Sequence, residues 1–356
     1  MSKKHANIPI FIPHLGCPNN CVFCNQRSIS GQLSFDAQKV PEQIEEALKT
    51  IEARGEIHDT EIAFFGGSFT GIDRSLMISL LETAYAYVKS GRVKEIRLST
   101  RPDYIDDEIL GILERYGVKT IELGLQSMSD KVLLASKRGH DAISAEKACR
   151  LIKQRGFSLV GQMMIGLPLS DAESERETAE KICELGADAA RVYPTVVFYE
   201  TELAEMEKRG EYIPLSTEDA VFRTKEVLKI FDFHSVPCIR VGLCASENLS
   251  SEETVCGGAN QSAIGELAMG EVFFGRMSEL LEEVPDGGDV KAVTFLVPTG
   301  ATSKAIGQKR KNINRLKDKY FVKKNIKFVK VVEKSTLFGY NIKMDYCVIG
   351  GKNECI

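Results

Sequence analysis

Residues 8–24 read IPIFIPHLGCPNNCVFC. Ile8–Ile12 is a short apolar run of strand length, and a loop follows it. That loop holds Cys17, Cys21 and Cys24 within eight residues. Three thiols cannot all pair with one another, and the chain reads as one kept in a reducing compartment. A [4Fe–4S] cube usually takes four thiolates, so three leave one iron open to a small molecule. One tight loop can bind three corners. Pro18, Asn19 and Asn20 are turn formers, and Gly16 permits unusual backbone angles just before the first cysteine. The alternatives are zinc, which favours Cys-x2-Cys pairs and a fourth ligand such as His14, and inert buried thiols.

Outward from this loop, strand-length runs alternate with amphipathic segments. Strands are expected at Ile8–Ile12, Glu61–Phe65, Glu95–Ser99, Thr120–Gly124, Ser158–Met164 and Ala190–Val197. Helices are expected in PEQIEEALKTIEAR, with proline near its start, and in DRSLMISLLETAYAYVKS, which ends at Gly91. Six such units predict an α/β fold, a partial (β/α)6 TIM-like barrel. The cysteine loop then opens at the C-terminal ends of the strands, where barrels place their chemistry. Three parts are expected: a core domain over 1–233, a loop-rich extension over 234–289 and a small basic α+β domain over 290–356. The turn cluster VPDGGD at 284–289 marks the last boundary.

The 43% apolar and 27% charged content of the 356 residues is that of an ordinary globular protein. No apolar run approaches the roughly 20 residues a membrane helix needs. The start, MSKKHANIPIFIPH, lacks a signal-peptide core, so a cytoplasmic, non-membrane protein is expected. Net charge is −4, yet Ala301–Lys334 carries twelve Lys or Arg against Asp318 and Glu333. Such asymmetry points to an appended basic module, or to a solvated helix face with a lysine-rich edge strand.

The spacing Cys-x3-Cys-x-Phe-Cys resembles that of the radical S-adenosylmethionine superfamily. The resemblance implies that the open iron binds S-adenosylmethionine. An electron from a donor such as flavodoxin or ferredoxin then cleaves it to methionine and a 5′-deoxyadenosyl radical. Further matches follow in order. EIAFFGGSFTG places Gly66, Gly67 and Ser68 where the family has a Gly-Gly-Glu-like motif for the methionyl amine, with serine replacing the acid. RLSTRPDYID ends the third strand, where Ser99 and the fork of Arg101 could reach the ligand. The alternative for Arg101 is a loop ion pair with Asp103. ELGLQS resembles the family's Gly-(Leu/Val)-Gln-Ser segment and implies Gln126 and Ser127 beside the ligand. GQMMIGLP implies Ile165 and Gly166 against adenine.

Within the superfamily, STRPDYID, IELGLQSMSDKVL, KRGHD and RVYPTVVFYETELAEMEKRGEY resemble the radical domain of the Elongator catalytic subunit and its bacterial relatives, over about residues 8–230. That family acts on the wobble uridine of tRNA. The resemblance implies Lys137, Arg138, His140 and Tyr193 near the substrate mouth, with His140 and Tyr193 as catalytic candidates. The plainer alternatives are solvated Lys137 and Arg138, a helix-end His140 and a core Tyr193. The Elongator family adds an acetyltransferase domain, for which the stretch after 289 is expected to be too short. That stretch has a strand–helix–loop–helix–strand rhythm resembling a KH RNA-binding module. Its Gly307-Gln308-Lys309-Arg310 would stand for the Gly-x-x-Gly loop, and Lys309, Arg310 and Lys311 would meet phosphates. Cys238, Cys244 and Cys256 fit no metal spacing and read as ordinary thiols, a second metal site being the alternative. Two rival functions are a tetrapyrrole enzyme like the oxygen-independent coproporphyrinogen oxidases, which share the cysteine spacing and the Gly-Leu-Gln-Ser segment, and a non-catalytic iron–sulfur binding protein.

Overall fold

The structure, a computed structural model, describes residues 4–12, 15–17, 21–25, 35–53, 58–243, 254–287 and 290–348. His14, the turn formers Pro18–Asn20 and Cys244 lie outside the described residues. The six expected strands form as β1 Lys4–Ile12, β2 His58–Gly66, β3 Glu95–Thr100, β4 Val118–Gln126, β5 Ser158–Ile165 and β6 Ala189–Pro194. Neighbours in sequence are neighbours in the sheet, and every pair is parallel. Helices α1 Val40–Ala53, α2 Arg74–Lys89, α3 Asp107–Arg115, α4 Asp130–Ala135, α5 Ala142–Gln154 and α6 Ala172–Glu184 fill the crossovers. Parallel strands need such long returns, and the sheet curls into a half-barrel with the helices outside.

Local chemistry fixes where these helices begin. Asp73, Asp106, Asp141 and Asp171 each accept a hydrogen bond from the backbone N–H three residues on, at 2.8–3.1 Å. Each such cap contributes about 1 kcal/mol. Alternation then sorts the strand faces. Gly161 faces α6, since a Cβ there would lie 2.7 Å from Ile182 Cγ2. Its neighbour Gln162 therefore points to the concave face. Ile121, Leu123 and Leu125 are buried on the helix side of β4, which leaves Glu122 and Gly124 on the concave side.

Several elements correct the sequence reading. The strand expected over Ala190–Val197 is split. β6 ends at Pro194, and Thr195 turns the chain by donating both its N–H and its hydroxyl to the Ile165 carbonyl, at 2.8 and 2.7 Å. β7 Val196–Phe198 leaves the main sheet and pairs antiparallel with β9 Val255–Gly258. β8 Cys238–Val241 adds a seventh parallel strand beside β6. Among the described residues, the stretch 234–289 is thus not mainly loop. After α7 Glu202–Lys208 and α8 Thr217–Phe233 it also contains α9, the 19-residue helix Ile264–Glu282. Glycines at 265, 270 and 275 obscure a helix that buries Ala268, Val272, Phe273, Met277 and Leu281.

Contacts also divide the chain differently from the boundaries at 233 and 289. Met1–Leu215 and Cys238–Asn260 form one compact unit, while Ser216–Pro237 and Gln261–Ile356 form the other. The second unit has a small sheet with β10 Val290–Val297 at its centre. β11 Phe328–Glu333 runs parallel to β10, and β12 Lys343–Val348, absent from the sequence reading, runs antiparallel. Between β10 and β11 stand α10 Thr302–Ile306 and α11 Lys311–Leu316. α9, β10 and α11 share a core of Phe273, Met277, Val293, Phe295, Ile313 and Leu316, which gives the expected small α+β domain.

Candidate active site

The cysteine loop is rooted on the ends of β1 and β2. Gly67 N–H donates to the Ile12 carbonyl at 2.8 Å, and Ser68 N–H to the Leu15 carbonyl at 3.1 Å. Gly16 has φ +72°, and a Cβ there would lie 2.7 Å from Gly71 C and Ile72 N and closer still to the Ser68 carbonyl. A Cβ on Gly67 would strike the Leu15 carbonyl. Gly16 and Gly67 therefore let two backbones pack against each other at the root of the loop. Beyond the root, Val22 N–H donates to the Ser136 carbonyl at 3.2 Å, and Cys24 N–H to the Cys21 carbonyl at 3.0 Å.

Cys21 lies against two buried guanidinium groups. Arg138 Nη1 is 3.3 Å from Cys21 Sγ and Arg101 Nη1 is 3.9 Å from it. These arginines are only 6% and 4% exposed. Arg138 Nη2 donates to the Gly124 carbonyl at 2.6 Å, which ties it to the end of β4. Arg101 donates Nε and Nη2 to the Asp103 carboxylate at 2.9 and 2.8 Å, and Nη2 also to the Arg138 carbonyl. Arg101 thus stands at the cysteines, but its fork is held by Asp103, the ion pair weighed above as the alternative. Burial pushes the Cys17 thiol above its ordinary pKa and neighbouring Cys21 adds to this, while Arg101 and Arg138 pull it back. Arg138 is therefore not solvated. Lys137 is exposed and pairs with Glu202 at 2.6 Å.

His140 sits in the same cluster with its side chain fully buried, 4.0 Å from Asp103. Burial, then the charge of Arg138 and more weakly that of Arg101, lower its pKa to about 4, while Asp103 and, least, the Leu125 backbone pull the other way. The ring is neutral at ordinary pH, and it makes no well-formed side-chain hydrogen bond among the described residues. A neutral, buried imidazole can accept or donate a proton without first shedding a charge.

The strand ends supply the remaining candidates. Ser68 Oγ and Thr70 Oγ1 share Thr100 Oγ1 at 2.8 and 2.6 Å, so Ser68 braces β3. Ser99 Oγ accepts from Gln162 Nε2 at 3.2 Å on the concave face. Ser127 Oγ accepts from Ser129 N–H at 3.1 Å. Gln126 is different. It has φ +67°, and its buried side-chain oxygen has no hydrogen-bond partner among the described residues. Left-handed backbone at a non-glycine residue, joined to an unsatisfied polar atom, is the mark of a position shaped for something else. The backbone of Ile165 and Gly166 is largely committed. Thr195 takes the Ile165 carbonyl, Gly166 N–H bonds Glu175 at 2.7 Å, and Tyr212 donates to the Gly166 carbonyl at 2.7 Å.

Beneath these residues lies a charged network that the sequence reading missed. Glu122, fully buried, accepts from Arg97 Nη1 at 3.0 Å, Arg191 Nη2 at 2.8 Å and Gln162 Nε2 at 2.9 Å. Arg97 also pairs with Glu61. Arg191 lies over the Phe65 ring and donates to the Tyr193 hydroxyl at 3.2 Å. Burial holds the Tyr193 phenol above its usual pKa. Tyr193 is therefore a polar member of the concave face. The signal available was a charged residue in the middle of each apolar strand: Arg97 in EIRLST, Glu122 in TIELGLQ and Arg191 in AARVYP.

In the second unit, Gly307-Gln308-Lys309-Arg310 links α10 to α11. Lys309 and Arg310 take φ +49° and +61°, so Arg310 adopts the left-handed backbone a glycine would take freely. Lys309, Arg310 and Lys311 are exposed, and no ion pair to them is present among the described residues. Elsewhere in the basic stretch the charges are partly answered, by Arg315–Glu271 at 2.5 Å and Lys323–Asp286 at 3.0 Å. Cys238 Sγ donates to the Arg240 carbonyl, and burial pushes its thiol up to about 12. Cys256 Sγ donates to the Val197 carbonyl.

The three cysteines suit an iron–sulfur cube. Their donor set is all sulfur, Cys17 and Cys21 are close enough to feel each other's charge, and two fixed cations face them. Among the described residues no three His, Cys, Asp or Glu side chains converge as a single ion requires. A cube instead takes its thiolates at separate corners. No helix among the described residues is long and apolar enough to cross a membrane.

Comparison with known proteins agrees with this geometry. Residues 11–182 match the radical SAM superfamily, and residues 187–271 match the radical SAM C-terminal domain. An uncharacterised protein of Methanocaldococcus jannaschii is 31% identical over 220 residues, which cover 59% of this chain and 67% of that protein. The tRNA uridine(34) acetyltransferase of the same organism is 35% identical over 127 residues, covering 35% of this chain but only 24% of that protein. The solved structure of Elp3 from Methanocaldococcus infernus, with an N-terminal deletion, shares the fold at a TM-score of 0.61 and 21% identity, over 78% of this chain and 64% of the other. With its cysteine loop at the mouth of a parallel half-barrel, the chain belongs to the radical SAM superfamily and is an enzyme.

Proposed function

We propose that this enzyme cleaves S-adenosylmethionine reductively and uses the resulting radical to modify RNA, with tRNA as the substrate. Radical SAM enzymes generally use a [4Fe–4S] cluster and S-adenosylmethionine, and need a reductant. Cys17, Cys21 and Cys24 would hold the cluster, which would supply the one electron that reductive cleavage of the sulfonium needs. The observation that carries the reading is the meeting of Cys21 with the buried Arg101 and Arg138 at the C-terminal ends of the strands.

The chain's own residues divide the remaining work. Gly66, Gly67 and Ser68 shape the edge against which the methionyl group would lie, and Ser99 and Ser127 add hydroxyls. Gln126 offers an unsatisfied oxygen to the ligand's donors. Ile165 is buried on the same side of β5 as Gly161, so only the main chain of Ile165 and Gly166, at the end of the strand, would border adenine. His140 is a neutral proton carrier buried away from water, and Tyr193 is a phenol on the concave face, held by Arg191.

RNA as substrate rests on two supports. One relative over this region is a tRNA uridine(34) acetyltransferase, of whose length the chain spans about a quarter. The other is the loop carrying Lys309, Arg310 and Lys311, whose left-handed backbone and exposed cations suit a KH-like grip on phosphates. A cytoplasmic setting, with flavodoxin or ferredoxin as electron donor, belongs to the same reading.

The test is 5′-deoxyadenosine release by the anaerobically reconstituted enzyme with dithionite and S-adenosylmethionine, with and without bulk tRNA. The expected result is release stimulated by tRNA, with the stimulation weakened in a K309A/R310A/K311A variant. Release indifferent to tRNA would overturn the RNA assignment while leaving the enzyme class intact.

A further inference from the structure

We propose that Arg138, with Arg101 beside it, sets the reduction potential of the cluster held by Cys17, Cys21 and Cys24. The inference rests on the cluster assignment above. Reduction adds one electron to the cluster and moves no proton; the external one-electron donor is oxidised by one electron. The added negative charge is stabilised by positive charge and by N–H donors to the ligand sulfurs.

Cys21 has both. Arg138 Nη1 is 3.3 Å from its Sγ and Arg101 Nη1 is 3.9 Å away. Neither group is a mobile surface cation. Arg138 is 6% exposed and anchored to the Gly124 carbonyl at 2.6 Å. Arg101 is 4% exposed, and its other nitrogens are taken by Asp103 and the Arg138 carbonyl. Two guanidinium groups fixed in this way do not reorganise when charge arrives, and burial strengthens their pull. The two are not equivalent. Arg138 Nη1 is the nearer to Cys21 Sγ, and Asp103 offsets part of the Arg101 charge, so Arg138 is the residue to substitute. Holding the potential up makes the cluster reducible by a donor of modest strength.

The experiment compares wild type, Arg138→Gln and Arg138→Lys after anaerobic reconstitution. Iron and sulfide content and far-UV circular dichroism are measured first. The cluster's midpoint is then read by equilibrium titration followed by electron paramagnetic resonance. Arg138→Gln should lower the reduced-to-oxidised ratio at a fixed poise about tenfold, which for one electron is about 59 mV. Arg138→Lys keeps the charge and should fall between the other two. A loaded Arg138→Gln cluster with the wild-type midpoint would overturn the tuning role alone. So would a folded Arg138→Lys protein unable to hold iron, since the arginine would then build the site rather than tune it. A wild-type protein that takes up no cluster would overturn the cluster assignment itself.

Discussion

Gly16 and Gly91 allow a controlled test of what shapes the cysteine loop. Their backbone angles are nearly equal, φ +72° and +74°. A Cβ on Gly91 would meet nothing within 4 Å, whereas one on Gly16 would press into Ser68, Gly71 and Ile72. Gly91→Ala therefore carries only the left-handed penalty of about 1–2 kcal/mol. Gly16→Ala carries the same penalty and must also displace the 68–72 backbone. That displacement breaks the bonds from Ser68 N–H to the Leu15 carbonyl and from Gly71 N–H to the Ser68 carbonyl, now 3.1 and 3.0 Å. At about 1 kcal/mol each, they bring the total to about 3–4 kcal/mol. The chain has no tryptophan, so urea unfolding is best followed by circular dichroism. Iron content after reconstitution should also fall in Gly16→Ala and stay unchanged in Gly91→Ala. Equal costs for the two variants would refute the close-packing explanation.

Three further outcomes follow from the same geometry. The folded pKa of His140, about 4, lies below its unfolded value of 6.5, so the unfolded chain binds the extra proton first. The neutral ring's contribution is complete above about pH 6.5 and is lost as pH falls towards 4, by about 3 kcal/mol in all. His140→Asn should flatten a stability profile over that window, and an unchanged slope would count against the burial argument. Glu122→Gln removes the charge that answers Arg97 and Arg191, and should destabilise the fold by about 3–5 kcal/mol. A midpoint shift in urea near zero would show that solvent reaches the network. Asn312 donates to the Gly270 and Ala305 carbonyls at 2.8 and 3.2 Å inside the second unit. Asn312→Ala should cost about 1–3 kcal/mol while leaving S-adenosylmethionine cleavage intact. Lost cleavage in a folded variant would contradict that separation.

The parallel half-barrel was legible because its strands are buried on both faces, so each reads as a nearly continuous apolar run. The cysteines were legible because their spacing is local. The concave network was not. Glu122 meets Arg97 and Arg191 across 25 and 69 residues of chain, and only the strand order makes them neighbours. For the same reason KRGHD gives no sign that Arg138 meets Cys21, which lies 117 residues earlier. Asp103, two residues from Arg101, was visible as a competitor, and it holds the fork. α9 is hard to see in the sequence because its glycines look like turn signals, yet at Gly270 the missing Cβ lets the Lys304 carbonyl of α10 approach, to which a Cβ would lie 3.2 Å away.

The central claim is that Cys17, Cys21 and Cys24 hold a four-iron cluster with one iron open to S-adenosylmethionine. The most direct measurement is the electron paramagnetic resonance spectrum of the reconstituted, dithionite-reduced protein before and after S-adenosylmethionine is added. The account predicts a reduced [4Fe–4S] signal that changes on addition and is lost in Cys17→Ala, Cys21→Ala and Cys24→Ala. A signal indifferent to S-adenosylmethionine, or one that survives any of the three substitutions, would contradict it.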